Sequence, residues 1–224
     1  MFKFESFKLL KKIPEPSDIV YDKDNDHYYI VSDHGILFET DTTGNIIRKA
    51  EFEGLDFEGV EIRDSFIYVS DETPRRVYKY RKSDFAMVKE YQVSYTGPLN
   101  KAFESITYNY AKNCFILVSQ EPVSIYEYNE KFQFQERFPF HIAHEISDAR
   151  WYNGELYFLS SYDQLIYRVD PNTYEVKEEF KINVSNPEGL AFDKHGKVTI
   201  TSDDLQRIYF FNQLPTNTST NTIK

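Results

Sequence analysis

Residues 149–182 read ARWYNGELYFLSSYDQLIYRVDPNTYEVKEEFKI, and this stretch decides the fold. Apolar and polar residues alternate within four short runs, which is the period of half-buried β-strands. Turn-forming residues separate these runs, with Asn153-Gly154 after the first and Asp170-Pro171-Asn172 before the last. The stretch therefore predicts four antiparallel strands joined by tight turns.

The same pattern recurs along the whole chain. Apolar runs ending in serine occur five times, and these serines lie 38, 49, 41 and 42 residues apart. A second marker, an aliphatic residue followed by an aromatic one, comes after each run at spacings of 40, 48, 41 and 42 residues. The serines are Ser32, Ser70, Ser119, Ser160 and Ser202, and the aromatic residues are Phe38, Tyr78, Tyr126, Tyr167 and Tyr209. Repeats of about 40–50 residues with four strands each are typical of β-propeller blades.

Five units of about 45 residues account for the 224 residues and predict an all-β, five-bladed β-propeller with four-stranded blades. The last unit has only three strands. Residues 5–13 resemble the fourth strands of other units, so we expect the N-terminal strand to complete the last blade and close the ring, with Phe7, Leu9 and Ile13 buried. The alternative, a two-sheet sandwich, explains the strands but not the five-fold register. We predict one domain over residues 1–213 and a disordered polar tail over residues 214–224.

Composition limits the classes of partner. The net charge of −10 argues against nucleic-acid binding and suits a cation. No run approaches the roughly 18 apolar residues of a membrane span, and residues 1–13 have neither the apolar segment nor the cleavage site of a signal peptide. The chain as written is expected to be a cytoplasmic monomer, or an exported protein if a leader was trimmed. Cys114 lies in an apolar run and is predicted to be a buried strand residue.

A third marker stands at the start of each unit's first strand. The equivalent positions are Ser17, Glu58, Glu104, Ser147 and Glu188. Since the first strand of each blade lines the channel of a propeller, these residues are expected to form a ring in which three glutamates repel one another. None of the five is basic, and oxygen donors suit calcium better than zinc. We therefore predict a calcium ion near Glu58, Glu104 and Glu188; the alternative is that the glutamates accept hydrogen bonds from backbone N–H groups and channel waters.

Other candidate residues are less specific. Acidic residues follow the serine markers and serve either as turn caps or as part of a ligand site: Asp33, Asp71, Glu72, Glu121, Asp203 and Asp204. His144 precedes Ser147 and is the one candidate proton shuttle for the channel mouth. The cations available for phosphate binding are Arg63, Arg75, Arg76, Lys101 and Arg150. No nucleophile elbow or phosphate-binding loop occurs, so the sequence identifies no catalytic residue and leaves open whether the protein is an enzyme.

The repeated motifs Phe57-Glu-Gly-Val60, Phe103-Glu-Ser-Ile106 and Pro187-Glu-Gly-Leu190 resemble those of the SdiA-regulated domain family, the YjiK-like proteins. The resemblance extends from about Glu15 to Asn212. It implies a five-bladed propeller that carries calcium and is distantly similar to NHL repeats and to metal-dependent lactonase-type propellers, with no defined activity. By position, it implicates Glu58, Glu104 and Glu188 as metal neighbours, whereas Ser17 and Ser147 depart from the pattern.

Two functions of different classes remain open. The first is a calcium-containing propeller that binds a small molecule or a protein partner. The second is a metal-dependent hydrolase, such as a lactonase, phosphoesterase or phytase-like enzyme, in which the cation polarises an ester and activates water.

Overall fold

A computed structural model describes residues 1–95, 97 and 102–215. Within that part of the chain there are 20 β-strands and no helix, and the strands form five four-stranded antiparallel sheets. Each sheet is one blade, and the innermost strands of the blades lie side by side around a central channel. The protein is therefore a five-bladed β-propeller, as predicted, and the two-sheet sandwich is excluded.

The strands of each blade run outward from the channel. Blade 1 contains β2 (Pro16–Asp22), β3 (His27–Ser32), β4 (Ile36–Asp41) and β5 (Ile46–Lys49); blade 2 contains β6 (Phe57–Arg63), β7 (Phe66–Asp71), β8 (Arg76–Arg81) and β9 (Met87–Gln92); blade 3 contains β10 (Phe103–Asn109), β11 (Cys114–Ser119), β12 (Ser124–Tyr128) and β13 (Phe134–Pro139). Blade 4 contains β14 (Asp148–Tyr152), β15 (Glu155–Ser160), β16 (Leu165–Val169) and β17 (Val176–Lys181); blade 5 contains β18 (Pro187–Phe192), β19 (Lys197–Ser202), β20 (Arg207–Gln213) and β1 (Ser6–Leu9).

The burial of each strand follows from its place in the blade. Every residue of β11 is buried, including Cys114, because neighbouring blades cover both faces of this second strand. The outermost strand β17 has mostly exposed and half-buried residues, with Phe180 buried. Asn153 and Gly154 both have positive φ angles, 49° and 86°, as a tight hairpin turn between two strands requires.

The hydrophobic core is divided into five clusters, and each cluster lies between two neighbouring blades. Large aromatic side chains fill these interfaces: Tyr29 and Phe57 lie between blades 1 and 2, and Phe158 lies between blades 3 and 4. A single blade cannot bury both of its faces, so stability depends on every blade having two neighbours. Closure of the ring is thus a condition for the fold.

The N-terminal strand closes the ring. β1 pairs antiparallel with β20, from Ser6 opposite Phe210 to Leu9 opposite Arg207. The prediction for its buried face was partly wrong. Ile13 is 1 % exposed and lies between blades 5 and 1, but Phe7 and Leu9 are 48 % and 44 % exposed. β1 is the outer edge of its blade, so alternate side chains face solvent, and burial begins beyond the strand at Leu10.

Residues 216–224 of the predicted tail lie outside the described residues. Leu214, at the start of that tail, packs against the core of blade 5. No helix long and apolar enough to cross a membrane occurs in the described residues.

Deletion of residues 1–13 should destabilise the whole protein. It exposes the edge of β20 and removes the buried side chains of Leu10 and Ile13, each worth roughly 1.5–3 kcal/mol of apolar burial. Such a loss is large against a typical stability of about 5–15 kcal/mol. We expect a much lower melting temperature (Tm) or aggregation, measured by thermal denaturation. Ile13→Ser should reproduce part of this loss, whereas Phe7→Ser should have little effect; an unchanged Tm in the truncated protein would contradict closure by β1.

Candidate functional site

Arg150 lies across the channel axis and is bonded to four blades. Its guanidinium donates to the carbonyl oxygens of Leu190 and Val60 at 2.9 and 2.8 Å, and to Asp18 and Asp148 at 2.7 and 3.1 Å. The Glu61 carboxylate lies 3.7 Å from Nη1. We call Arg150, Asp18, Asp148 and Glu61 the axial network. All four are buried, with Arg150 only 3 % exposed.

The carboxylates of the axial network extend its bonds to every blade. Asp18 accepts the Val60 N–H of blade 2, and Asp148 accepts the Leu190 N–H of blade 5, both at 2.7 Å. The Ser105 hydroxyl of blade 3 donates to Asp148 at 2.8 Å. Burial raises the pKa of both aspartates, while the Arg150 charge acts in the opposite direction. The network therefore holds three carboxylates in the interior by means of one guanidinium.

The axial network corrects one prediction. Arg150 was a candidate for phosphate binding at the mouth, but it is buried and its donors are occupied. Arg63 stacks on Tyr108 and pairs with Glu130, and Arg75 donates to the carbonyl oxygens of Tyr95 and Gly97. Arg76 pairs with Glu90, and Lys101 lies outside the described residues. The described arginines of that set are thus used within the fold.

The predicted ring forms at the start of the innermost strands, and we call this end of the channel the glutamate mouth. In blades 1, 2, 3 and 5 the pairing register shifts at the ring position, between Pro16 and Asp18, Phe57 and Gly59, Phe103 and Ser105, and Pro187 and Leu190. A β-bulge leaves one residue out of the ladder and redirects its side chain. The bulged residues include Ser17, Glu58, Glu104 and Glu188, so the repeated motif codes for a repeated bulge.

The glycines after Glu58 and Glu188 allow this close packing. A Cβ at Gly59 would lie 2.7 Å from the backbone nitrogen of Ile106, and one at Gly189 would lie 2.7 Å from that of Ile19. Neither distance is tolerated by a larger residue, because the obstructing atoms belong to the backbone of the next blade. The innermost strands of neighbouring blades therefore approach each other closely at both glycines.

The three ring glutamates carry unfavourable charges. Each is half-buried, and burial raises the pKa of Glu58, Glu104 and Glu188 well above the ordinary value of 4.5. Neighbouring carboxylates raise these pKa values further. The charge of Glu104 raises the pKa of Glu58, and the charge of Glu188 raises the pKa of Glu104. Among the described residues, no basic side chain is among the principal charges acting on any of the three.

More acidic residues surround this ring. Carboxylate oxygens of Asp56, Glu58 and Glu72 all lie within 4.8 Å of one another. Burial and the Asp33 charge raise the pKa of Asp203 to about 6, and its buried Oδ1 accepts no hydrogen bond in the described structure. The charge of Glu145 raises the pKa of both Glu104 and Glu188. Asp56 and Glu145 were not identified as mouth residues from the sequence, although both stand two residues before a ring position, as Glu15 does in blade 1, and this shared spacing could have revealed them.

The two ring serines have a different role. Ser17 donates to the Phe57 carbonyl at 2.7 Å and to Asp33, and Ser147 donates to the Pro187 carbonyl at 2.8 Å. Each hydroxyl therefore joins its blade to the next one, which accounts for the departure of blades 1 and 4 from the glutamate pattern.

Of the other residues predicted from the sequence, some have structural roles and others lie at the glutamate mouth. Asp71 accepts the backbone N–H groups of Leu55 and Asp56, as a turn cap does. Glu72 accepts the Ala102 N–H at 2.6 Å and lies beside Glu104. His144, expected at the mouth, is bonded to Asp163 at 2.6 Å and packs on Tyr162, and its side chain is 71 % exposed. It is not among the principal charges acting on the ring glutamates.

The fold and the mouth define a class, a five-bladed β-propeller whose channel opens among clustered carboxylates. The family model described as SdiA-regulated matches residues 8–212, and the chain belongs to that family. A comparison with curated proteins finds no match.

Several solved structures are similar to this chain. The glutaminyl cyclase of Myxococcus xanthus has a TM-score of 0.77 at 12 % identity, covering 96 % of this chain and 99 % of that one. Virginiamycin B lyase of Staphylococcus aureus has a TM-score of 0.56 at 14 % identity, covering 89 % and 66 %. The Cps50 (Swd1) β-propeller domain of Myceliophteria thermophila has a TM-score of 0.56 at 12 % identity, covering 100 % and 71 %. At these identities the likeness shows the fold.

Replacing Arg150 should cost more stability than any surface ion pair. Arg150→Met leaves Asp18, Asp148 and Glu61 buried without their counter-charge, and breaking a buried ion pair in this way costs about 3–5 kcal/mol. Arg168→Met is the control, because the partly exposed pair of Arg168 with Glu178 is worth about 0–1 kcal/mol. Adding Asp148→Asn to Arg150→Met should restore part of the Tm. Equal Tm values for wild type and Arg150→Met would show that the network does not hold the blades.

The ring glutamates should make the metal-free protein less stable as pH rises. Their pKa values are raised in the folded state, so between 4.5 and the folded pKa the folded protein binds more protons than the unfolded chain, and stability falls with pH. Glu58→Gln removes one of these groups. In chelator, we expect it to match wild type near about pH 5 and to exceed its Tm by a few degrees near about pH 8, given roughly 2–4 °C per kcal/mol for a chain of this size. A Tm difference independent of pH would contradict the assignment.

Proposed function

We propose that this protein is a calcium-binding β-propeller that acts as a binding module for a small molecule or a protein partner at the glutamate mouth. The observation that carries the proposal is the clustering of buried and half-buried carboxylates at the mouth, where oxygens of Asp56, Glu58 and Glu72 lie within 4.8 Å of one another and no basic side chain of the described residues is among the principal charges acting on the three ring glutamates. Repelling carboxylates of this kind are stabilised by protonation, by a basic group or by a cation.

The donor set fits calcium better than other common ions. The carboxylate oxygens of Asp56, Glu58 and Glu72 are close enough to share one ion. Calcium takes six to eight oxygen ligands at about 2.3–2.6 Å. No histidine or cysteine joins the described cluster, which disfavours zinc. Glu58, with Asp56 and Glu72 or with Glu104 and Glu188, would hold the ion.

A bound calcium ion would supply positive charge at the channel mouth and coordination positions for oxygen atoms. The cluster found in the structure offers three carboxylates, fewer than the ion accepts. The remaining positions suit water, a backbone carbonyl, or a carboxylate or hydroxyl oxygen of a ligand. The mouth would thus recognise an oxygen-rich partner by the same ion that stabilises the ring.

An enzymatic role is the second candidate, and two observations favour it. One of the similar solved structures is a glutaminyl cyclase; its TM-score is 0.77, and the match covers 99 % of that protein. Asp203, with a pKa of about 6, is suited to proton transfer near neutral pH, a role for which His144 is poorly placed. A metal-dependent hydrolase, such as a lactonase or phosphoesterase, would use these groups with the cation. The described arginines of the expected phosphate-binding set are engaged elsewhere, so phytase-like chemistry has the least support.

Calcium should stabilise the protein. An ion that binds only the folded state adds about 2.7 kcal/mol at a hundredfold excess over its Kd, equivalent to roughly 5–10 °C in Tm for a chain of this size. Glu58→Gln, Glu104→Gln and Glu188→Gln should each reduce this gain, whereas Glu136→Gln, on the outer strand β13, should not. Calorimetry and thermal denaturation with and without chelator measure both effects.

Two results separate the alternatives. A wild-type protein that binds no calcium and melts identically in chelator overturns the metal proposal. If calcium binds and lactone or ester substrates are hydrolysed, with turnover lost in Asp203→Asn but calcium affinity retained, the enzymatic candidate replaces the binding module.

A further inference from the structure

The end of the ring opposite the glutamate mouth contains a cavity of about 650 Å³. It is lined by residues at or just beyond the C-terminal ends of the innermost strands of all five blades, with buried Arg150 and Glu61 at its inner end. This volume lies within the range of sites for small molecules, roughly 300–1,000 Å³. The axial network separates the cavity from the ring glutamates, so neither calcium nor the proposed function accounts for it.

Aromatic side chains line the cavity on the side of blades 3, 4 and 5. Tyr110 is 47 % exposed, and its ring centroid is 5.5 Å from that of Trp151. Tyr152 stacks on Phe192, with centroids 4.5 Å apart and planes within 10° of each other. The rings of each pair are in contact, so each ring is positioned by its neighbour in the absence of a ligand. The π faces of such rings attract cations, and tryptophan attracts them most strongly.

The rest of the lining is rich in carboxylates. Five acidic residues face three basic ones: Asp22, Asp24, Glu61, Asp64 and Asp193 against Lys23, Arg150 and Lys194. Two of the bases are already paired, Arg150 with the buried aspartates of the axial network and Lys194 with Asp26 at 3.3 Å. Lys82 offsets part of the charge of Asp22 and Asp24. The lining still has more carboxylates than cations, and this excess adds to the attraction of the aromatic side.

We propose that this cavity binds a small organic cation, with a quaternary or primary ammonium group between the aromatic rings and the carboxylates. Aromatic faces and an acidic wall in one half-open cavity recognise positive charge on an apolar body, and they disfavour anions. A neutral molecule of the same shape would gain the apolar contacts but lose the electrostatic ones.

Trp151 is the single tryptophan of the chain and lines this cavity, so tryptophan fluorescence comes from one residue at the proposed site. We would titrate the full-length protein with choline and, separately, with its neutral isostere 3,3-dimethylbutan-1-ol. Choline is expected to change the fluorescence to saturation, with calorimetry giving the same Kd, and the isostere is expected to bind at least about tenfold more weakly. Tyr110→Ala should weaken choline binding by roughly twofold to thirtyfold, the range of a cation–π contact. Tyr162→Ala is the matched control, since Tyr162 is 71 % exposed beside His144 near the other end of the ring.

Three results would overturn the proposal. Equal affinity for choline and the isostere, equal weakening by Tyr110→Ala and Tyr162→Ala, or no saturable response to choline each overturns the proposal. Asp64→Asn provides a second test if Tyr110→Ala does not fold, and it should weaken choline binding while leaving the isostere unaffected. Because calcium titration reports on the opposite mouth, failure of calcium binding leaves this test independent.

Discussion

One guanidinium holds the centre of this ring together. Arg150 bonds directly to residues of blades 1, 2, 4 and 5, and Asp148 passes the connection to Ser105 of blade 3. Apolar interfaces also join the blades, as do hydrogen bonds such as those of Ser17 and Ser147, but apolar contacts alone do not fix the angular register of the blades. Because hydrogen bonds to a buried charge are directional and costly to break, the axial network adds that register. The bulges that present the ring glutamates keep their positions only while the innermost strands keep theirs.

The axial network also divides the channel into two chemically different ends. At the glutamate mouth no basic side chain of the described residues is among the principal charges acting on the ring glutamates, while the opposite end combines aromatic rings with carboxylates and lysines. Fold and chemistry are separable here, since the same strands supply glutamates at their beginnings and aromatic residues at their ends. The likeness to a glutaminyl cyclase and to a lyase, at 12 % and 14 % identity, shows a shared fold and no more, because function depends on the site that a fold carries.

The sequence was sufficient for the parts of the molecule that repeat. Five copies of each marker predict five blades, and three copies of the glutamate motif predict a ring, because a closed repeat brings equivalent positions together. Parts that occur once could not be predicted. Arg150 has no counterpart in other blades, and its partner Asp18 lies 132 residues away, so only the folded ring brings them together. Phe7 and Leu9 occupy alternate positions, as the buried residues of a strand do. An edge strand, however, has one face in solvent, and the alternation does not reveal which face that is. The metal assignment remains a prediction.

Closure by β1 has a consequence for biosynthesis. About 200 residues separate β1 from β20, its partner in blade 5. At about 5–20 residues per second, the ribosome takes roughly 10–40 s to produce the partner strand after the first strand has emerged. During that interval Leu10 and Ile13 have no complete interface to enter, and blade 1 lacks one neighbour. Leu10 and Ile13 are therefore made long before the strand that completes their interface, and they stay uncovered until β20 has emerged.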